Sequence, residues 1–66
     1  MIVEINGFNE NVPEGATISD LIERFGEQDI DLIVEFNGRF LYAEKWPTTV
    51  VSPNDSIEFI HPNFGG

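Results

Sequence analysis

Two Asn-Gly dipeptides, Asn6-Gly7 and Asn37-Gly38, divide the chain into paired runs of strand-forming residues. Asn and Gly both tolerate positive φ, so this dipeptide is a favoured centre for a two-residue hairpin turn. Before the first turn, Met1, Val3 and Ile5 alternate with Ile2, Glu4 and Asn6, the period-two pattern of a strand. Residues 8–12 form the returning strand, and Pro13-Glu14-Gly15 stops it. The second turn joins a strand over 32–37 to a shorter one over 39–42.

Between the hairpins the period changes. Ile18, Leu21, Ile22 and Phe25 follow at i, i+3, i+4 and i+7, one apolar stripe of an amphipathic helix. Thr17 stands at the N-cap with Asp20 three residues on, in capping-box spacing. Gly26 falls where a left-handed residue would end the helix. The acidic segment 27–31 then leads into the second hairpin.

Residues 43–47 read as a connector with a short helical turn anchored by Trp46, and 48–51 as a short extended segment. After the Pro53-Asn54-Asp55 turn, 56–61 is the last strand, with Ile57 and Phe59 on one face and Glu58 and Ile60 on the other. Pro62 has no N–H to offer a ladder, so pairing should fail there.

One helix covers only one face of such a sheet. The first and last strands are then expected side by side and parallel, with the helix inside the crossover. The predicted fold is α+β, a β-grasp: a mixed sheet of four to five strands with one main helix on one face. The expected core is Val3, Ile5, Val12, Ile18, Leu21, Ile22, Phe25, Val34, Phe36, Trp46, Ile57 and Phe59. The predicted organisation is a domain over 1–61 and a flexible C-terminal diglycine tail over 62–66.

Sixty-six residues make one domain, and a chain this short has a thin core with little room for a deep catalytic pocket. There is no cysteine, hence no disulfide and no thiolate to attack a substrate or hold a metal. Twelve Asp plus Glu against three Lys plus Arg give a net charge of −9. That balance argues against nucleic acid, whose phosphates call for Lys and Arg clusters, and against an anionic membrane. It would attract a basic protein surface, or serve simple solubility. With no leader-like or membrane-spanning run visible, a cytoplasmic protein is the expectation.

The chain ends in Gly65-Gly66. Two terminal glycines arise by chance about once in 200 chains at a glycine usage of about 7%. Several ordered stretches carry a resemblance: 1–7 closing in Asn-Gly, Ala16-Thr17-Ile18 followed by Leu21-Ile22, and Val34-Glu35-Phe36-Asn37-Gly38. Glu44-Lys45-Trp46, Asn54-Asp55-Ser56-Ile57-Glu58-Phe59 and the terminal Gly65-Gly66 continue it. In this order the chain resembles the ThiS branch of the ThiS/MoaD family of ubiquitin-like sulfur carriers along its whole length. His61-Pro62-Asn63-Phe64 departs from the small or aliphatic run expected before the glycines.

The resemblance implies a carrier rather than an enzyme, with no catalytic residue and no cofactor of its own. An E1-like adenylyltransferase would use ATP and magnesium to activate the carboxylate of Gly66. A sulfur donor would then leave a thiocarboxylate there, for delivery to a thiazole synthase in thiamin biosynthesis. A slim Gly65-Gly66 end suits passage through a narrow channel, because glycine has no Cβ. Phe64, Ile60, Phe40 and Tyr42 are the further candidates for partner contact. Ile60 alternates away from the core, and Phe40 and Tyr42 would share its face; an apolar patch rimmed by acids suits a protein partner. The chain alone is expected to be monomeric.

Other readings of the same end stay open: a carrier serving homocysteine, cysteine or molybdopterin synthesis, a ubiquitin-like modifier, or a β-grasp binding module without C-terminal chemistry. His61, the single histidine, has no pocket partner indicated by the sequence, and Asp29 and Asp31 read as solvated loop charges.

Overall fold

The computed structural model describes residues 1–62; residues 63–66 lie outside the described part. Its elements run β1 (Ile2–Ile5), β2 (Phe8–Asn11), α1 (Ile18–Arg24), β3 (Ile33–Phe36), β4 (Arg39–Leu41), a 3-10 turn (Ala43–Lys45) and β5 (Ser56–Ile60). Both hairpins turn where the dipeptides stand. Asn6 and Gly7 have φ of 51° and 85°, and Asn37 and Gly38 of 52° and 82°, the two positive values that a type I′ turn requires.

The five strands form one sheet in the order β2-β1-β5-β3-β4. The last strand thus lies in the middle, parallel to β1 and antiparallel to β3. The predicted parallel pairing of first and last strands is present, and the sheet reaches the five-strand end of the expected range. Asn6 and Asn37 each add a bond to β5: Asn6 Oδ1 accepts from the Phe59 N–H at 2.8 Å, and Asn37 Oδ1 accepts from the Ser56 N–H at 2.8 Å. Both turns therefore fasten the strand that the chain makes last.

The helix starts with the expected capping box. Thr17 Oγ1 accepts from the Asp20 N–H at 3.1 Å, and the Asp20 carboxylate accepts from the Thr17 N–H at 2.9 Å. The remaining first-turn donors, Ile18 and Ser19 N–H, reach the carbonyls of Thr49 and Trp46 at 3.0 and 3.2 Å. All early N–H groups of the helix are thus satisfied, and the 46–51 connector is tied to its start. At the other end Gly26 takes φ 70°. Gly26 N–H bonds the Glu23 carbonyl and Glu27 N–H the Ile22 carbonyl, the bond pair of a Schellman cap.

Ile18, Leu21 and Ile22 of α1 pack on Val3, Ile5, Val34, Ile57 and Phe59 of the sheet. Burying each such side chain contributes about 1.5–3 kcal/mol. Three expected core residues, Phe25, Phe36 and Trp46, are only partly buried against this cluster. Trp46 keeps a polar end to satisfy, and its Nε1–H donates to the Leu41 carbonyl at 3.1 Å. Ala16, Leu32 and Val51 are buried as well; Leu32 stands just before β3, in phase with Val34, whereas Ala16 and Val51 lie in connectors, where no period marks them. Val51 N–H bonds the Ala16 carbonyl at 2.9 Å, and this bond seats both side chains. Strand β5 ends at Ile60, one residue short of the expected end.

Candidate functional site

Gly66, Gly65 and Phe64, the terminal candidates, lie outside the described residues, as does all of the expected 62–66 tail except Pro62. The structure does define the two surfaces from which this end departs: the open face of the sheet and the last turn after β5.

Cross-strand register fixes the open face. Val34 pairs with Phe59 and Phe36 with Ile57 on the helix side, so Ile33 opposite Ile60 and Glu35 opposite Glu58 look away from the helix. On the other side of β3, Glu35 stands opposite Phe40. Alternation puts Tyr42 on the face of Phe40, and their rings meet edge-on with centroids 4.7 Å apart. Ile60, Phe40 and Tyr42 therefore share the open face as expected. Phe40 and Tyr42 are 55% and 64% exposed, so neither serves the core.

Two rows result. Ile60 and Ile33 make an apolar pair near the end of β5, with Tyr42 following β4 on the same face, and Glu58, Glu35 and Phe40 make the next row. Ile33 was not a candidate from sequence. Its strand phase supplied the signal, but only the β3–β5 register turns that phase into a place beside Ile60. The patch is thus apolar at the end nearer the C-terminus and acidic behind it.

His61 occupies the other surface. Odd positions of β5 face the helix side, and His61 continues that parity past the strand end. Its Nε2 is paired with Glu27 Oε1, and its Nδ1 lies 3.3 Å from Asp29 Oδ2. These are the ion pairs among the described residues. The hydrogen bond to Glu27 raises the His61 pKa above its ordinary value; desolvation opposes it, and a smaller hydrogen bond to Asp29 adds to the rise. Asp29 is held below the ordinary carboxylate value, first by the Asp31 backbone N–H and then by His61.

Asp29 is therefore more than the solvated loop charge expected, since it faces His61, whereas Asp31 is exposed and makes no ion pair. The loop has no period, so its approach to β5 could not be read; the Schellman cap at Gly26 turns Glu27 toward the strand end. Among the described residues no group of three or more His, Cys, Asp or Glu is arranged to hold a metal ion. Likewise, no helix there is long and apolar enough to cross a membrane.

No curated protein sequence matches the chain significantly. Among solved structures, the thiamine biosynthesis protein ThiS from Geobacter metallireducens superposes with a TM-score of 0.86 at 29% identity, covering 100% of both chains. The five-stranded mixed sheet with its single helix is that protein's β-grasp fold. The ThiS family model matches residues 2–66, so the strand order, the two Asn-Gly turns and the diglycine end fall within one continuous match, and the chain belongs to the ThiS family.

Proposed function

We propose that this protein is a sulfur carrier for thiamin biosynthesis, with the carboxylate of Gly66 as its working group. The observation that carries the reading is the family match running unbroken to residue 66, joined to full-length likeness to a thiamine biosynthesis ThiS protein. A carboxylate is a poor electrophile at neutral pH, so it has to be activated. Its oxygen attacks the α-phosphorus of ATP and pyrophosphate leaves. A sulfur nucleophile at the oxidation level of sulfide then attacks the acyl carbon, AMP leaves with that oxygen, and a thiocarboxylate remains.

In this reading ATP, magnesium and the catalytic groups belong to an adenylyltransferase partner, and the acceptor of the sulfur is a thiazole synthase. The carrier contributes a slim end, Gly65-Gly66, and a docking face. Ile60, Phe40, Tyr42 and the adjoining Ile33 supply apolar contact, with Phe64 as a further contact next to the glycines. Glu35 and Glu58 favour a partner surface that is basic, by charge complementarity.

Intact-mass analysis tests the proposal. The chain is incubated with its activating enzyme, ATP, magnesium and a sulfur donor, and the product should gain the mass difference of one oxygen replaced by sulfur. Deleting Gly66 should abolish that gain. A chain that stays unmodified under conditions where the activating enzyme charges another carrier would refute the reading. Gly-Gly remnants on lysines of other proteins would favour a modifier instead.

A further inference from the structure

We infer that His61 is a positioning residue: clasped as an imidazolium between Glu27 and Asp29, it holds the chain's exit from β5 against the α1–β3 segment.

The geometry supports this in three ways. Each ring nitrogen faces a carboxylate oxygen, Nε2 that of Glu27 and Nδ1 that of Asp29. A neutral imidazole has one N–H, so both contacts can be donated only by the protonated ring. Secondly, the backbones of both acidic residues, and the carboxylate of Asp29, are set in place by bonds that do not involve His61. Glu27 N–H closes the Schellman cap on the Ile22 carbonyl at 2.9 Å. Asp29 N–H bonds the Glu27 carbonyl at 2.9 Å, and Asp29 Oδ1 accepts from the Asp31 N–H at 3.0 Å. The clasp is therefore a prepared acceptor pair into which one side chain fits. Thirdly, the final rung of the β3–β5 ladder is Ile33 with Ile60, and Pro62 has no N–H with which to add another. Past Ile60, the His61 side chain is what links the exiting backbone to the fold among the described residues.

The ionisable groups facing His61 are Glu27 and Asp29. Asp31 makes no ion pair with it, and neither β1 nor β3, the strands flanking β5, brings a charged group within ion-pair distance of the ring. The raised pKa of His61, whose first cause is the hydrogen bond to Glu27, agrees with this arrangement. The exit is held below the titration of His61 and released above it. For a carrier whose end must be delivered to an enzyme's nucleotide site, a fixed exit reduces the orientational search.

The test has two arms on the full chain. The structural arm is independent of the proposed function. NMR titration should show the His61 ring changing charge above the ordinary histidine value, and Glu27→Gln should bring it down. The heteronuclear NOE at the His61 amide should fall as wild type passes through that titration, and should be low at every pH in His61→Gln. The activation arm rests on the carrier reading. At about pH 6, His61→Gln should lower kcat/KM for adenylation by about two- to fivefold, the range of an exposed charge pair, mainly through KM. At a pH above the wild-type titration measured in the structural arm, the two proteins should converge.

An ordinary titration insensitive to Glu27→Gln, or a wild-type to variant ratio that is flat with pH, would overturn the inference. Wild type that is never adenylated overturns the carrier reading instead, and the NMR arm alone then decides the clasp.

Discussion

The Asn6 side-chain carbonyl accepts a hydrogen bond at 2.8 Å from the backbone N–H of Phe59, a residue 53 positions later in the chain. One residue thus performs two tasks. Its backbone takes φ 51° in the first hairpin turn, and its side chain satisfies a part-buried donor of the central strand. Asn6→Gly keeps the turn and loses the acceptor. Asn6→Ala loses both. Leaving a buried donor unpaired costs about 1–3 kcal/mol, and a left-handed alanine adds about 1–2 kcal/mol. Urea unfolding should rank the proteins wild type, then Asn6→Gly, then Asn6→Ala, with Asn6→Asp near wild type because it retains acceptor and turn preference. An Asn6→Gly variant as stable as wild type would show that the bond to Phe59 contributes nothing.

Leu21 is fully buried at the centre of the helix stripe, between Ile18 and Ile22 and against the sheet. Leu21→Ala removes its packing and leaves a cavity, at a cost of about 2–5 kcal/mol. In a domain this small that is a large share of the total stability, since native chains retain only about 5–15 kcal/mol. Thermal unfolding should show a melting temperature many degrees lower, with the far-UV spectrum of the folded baseline unchanged. A shift of a degree or two would mean that the helix is not the main cover of the sheet.

What could be read from the sequence followed local rules. The Asn-Gly turns, the Thr17–Asp20 box and the 3.6-residue stripe each depend on neighbours in the chain, and each is present as expected. The β1–β5 pairing came from topology, because one helix between two hairpins leaves little choice. Connectors were opaque. Ala16 and Val51 enter the core through the docking of connectors on the helix start, and no periodicity announces that. The His61 clasp was hidden for the same reason: it joins a strand end to a loop 32 and 34 residues earlier. The open face was half visible. Parity placed Ile60, Phe40 and Tyr42 together, but the register that adds Ile33 and sets Glu35 against Glu58 is a property of the folded sheet.

The clasp also gives stability a pH signature. His61 has a folded pKa above its ordinary 6.5, so its contribution is complete below that value and disappears as pH rises through the folded pKa. Asp29 has a folded pKa below its ordinary 3.8, so its contribution is complete above that value and disappears as pH falls through the folded one. The two conditions overlap between about pH 3.8 and pH 6.5, the ordinary values of the pair. The difference in melting temperature between wild type and His61→Gln should therefore be greatest across this window and shrink on the alkaline side. Because all three side chains are partly exposed, added salt should reduce the difference within the window. A difference that grows with alkaline pH would contradict the sign of the His61 shift.

Glu35 and Glu58 stand directly opposite each other on β3 and β5, two like charges at the middle of the open face. Directly opposed like charges destabilise a sheet, whereas opposite charges contribute about 0.2–1 kcal/mol relative to an alanine pair. The protein keeps an unfavourable pair where a Lys or Gln would suit the fold better. A face selected for stability alone would not, but one that meets a basic partner surface would. Glu35→Lys should accordingly raise the melting temperature, most at low salt, while slowing association with the activating enzyme. Glu35→Gln should fall between the two on both measures. Stopped-flow association at several ionic strengths separates the effects, since steering by charge acts on the on-rate and fades with salt. If Glu35→Lys associates as fast as wild type at low salt, the partner does not approach this face, and the docking surface must be sought elsewhere on the domain.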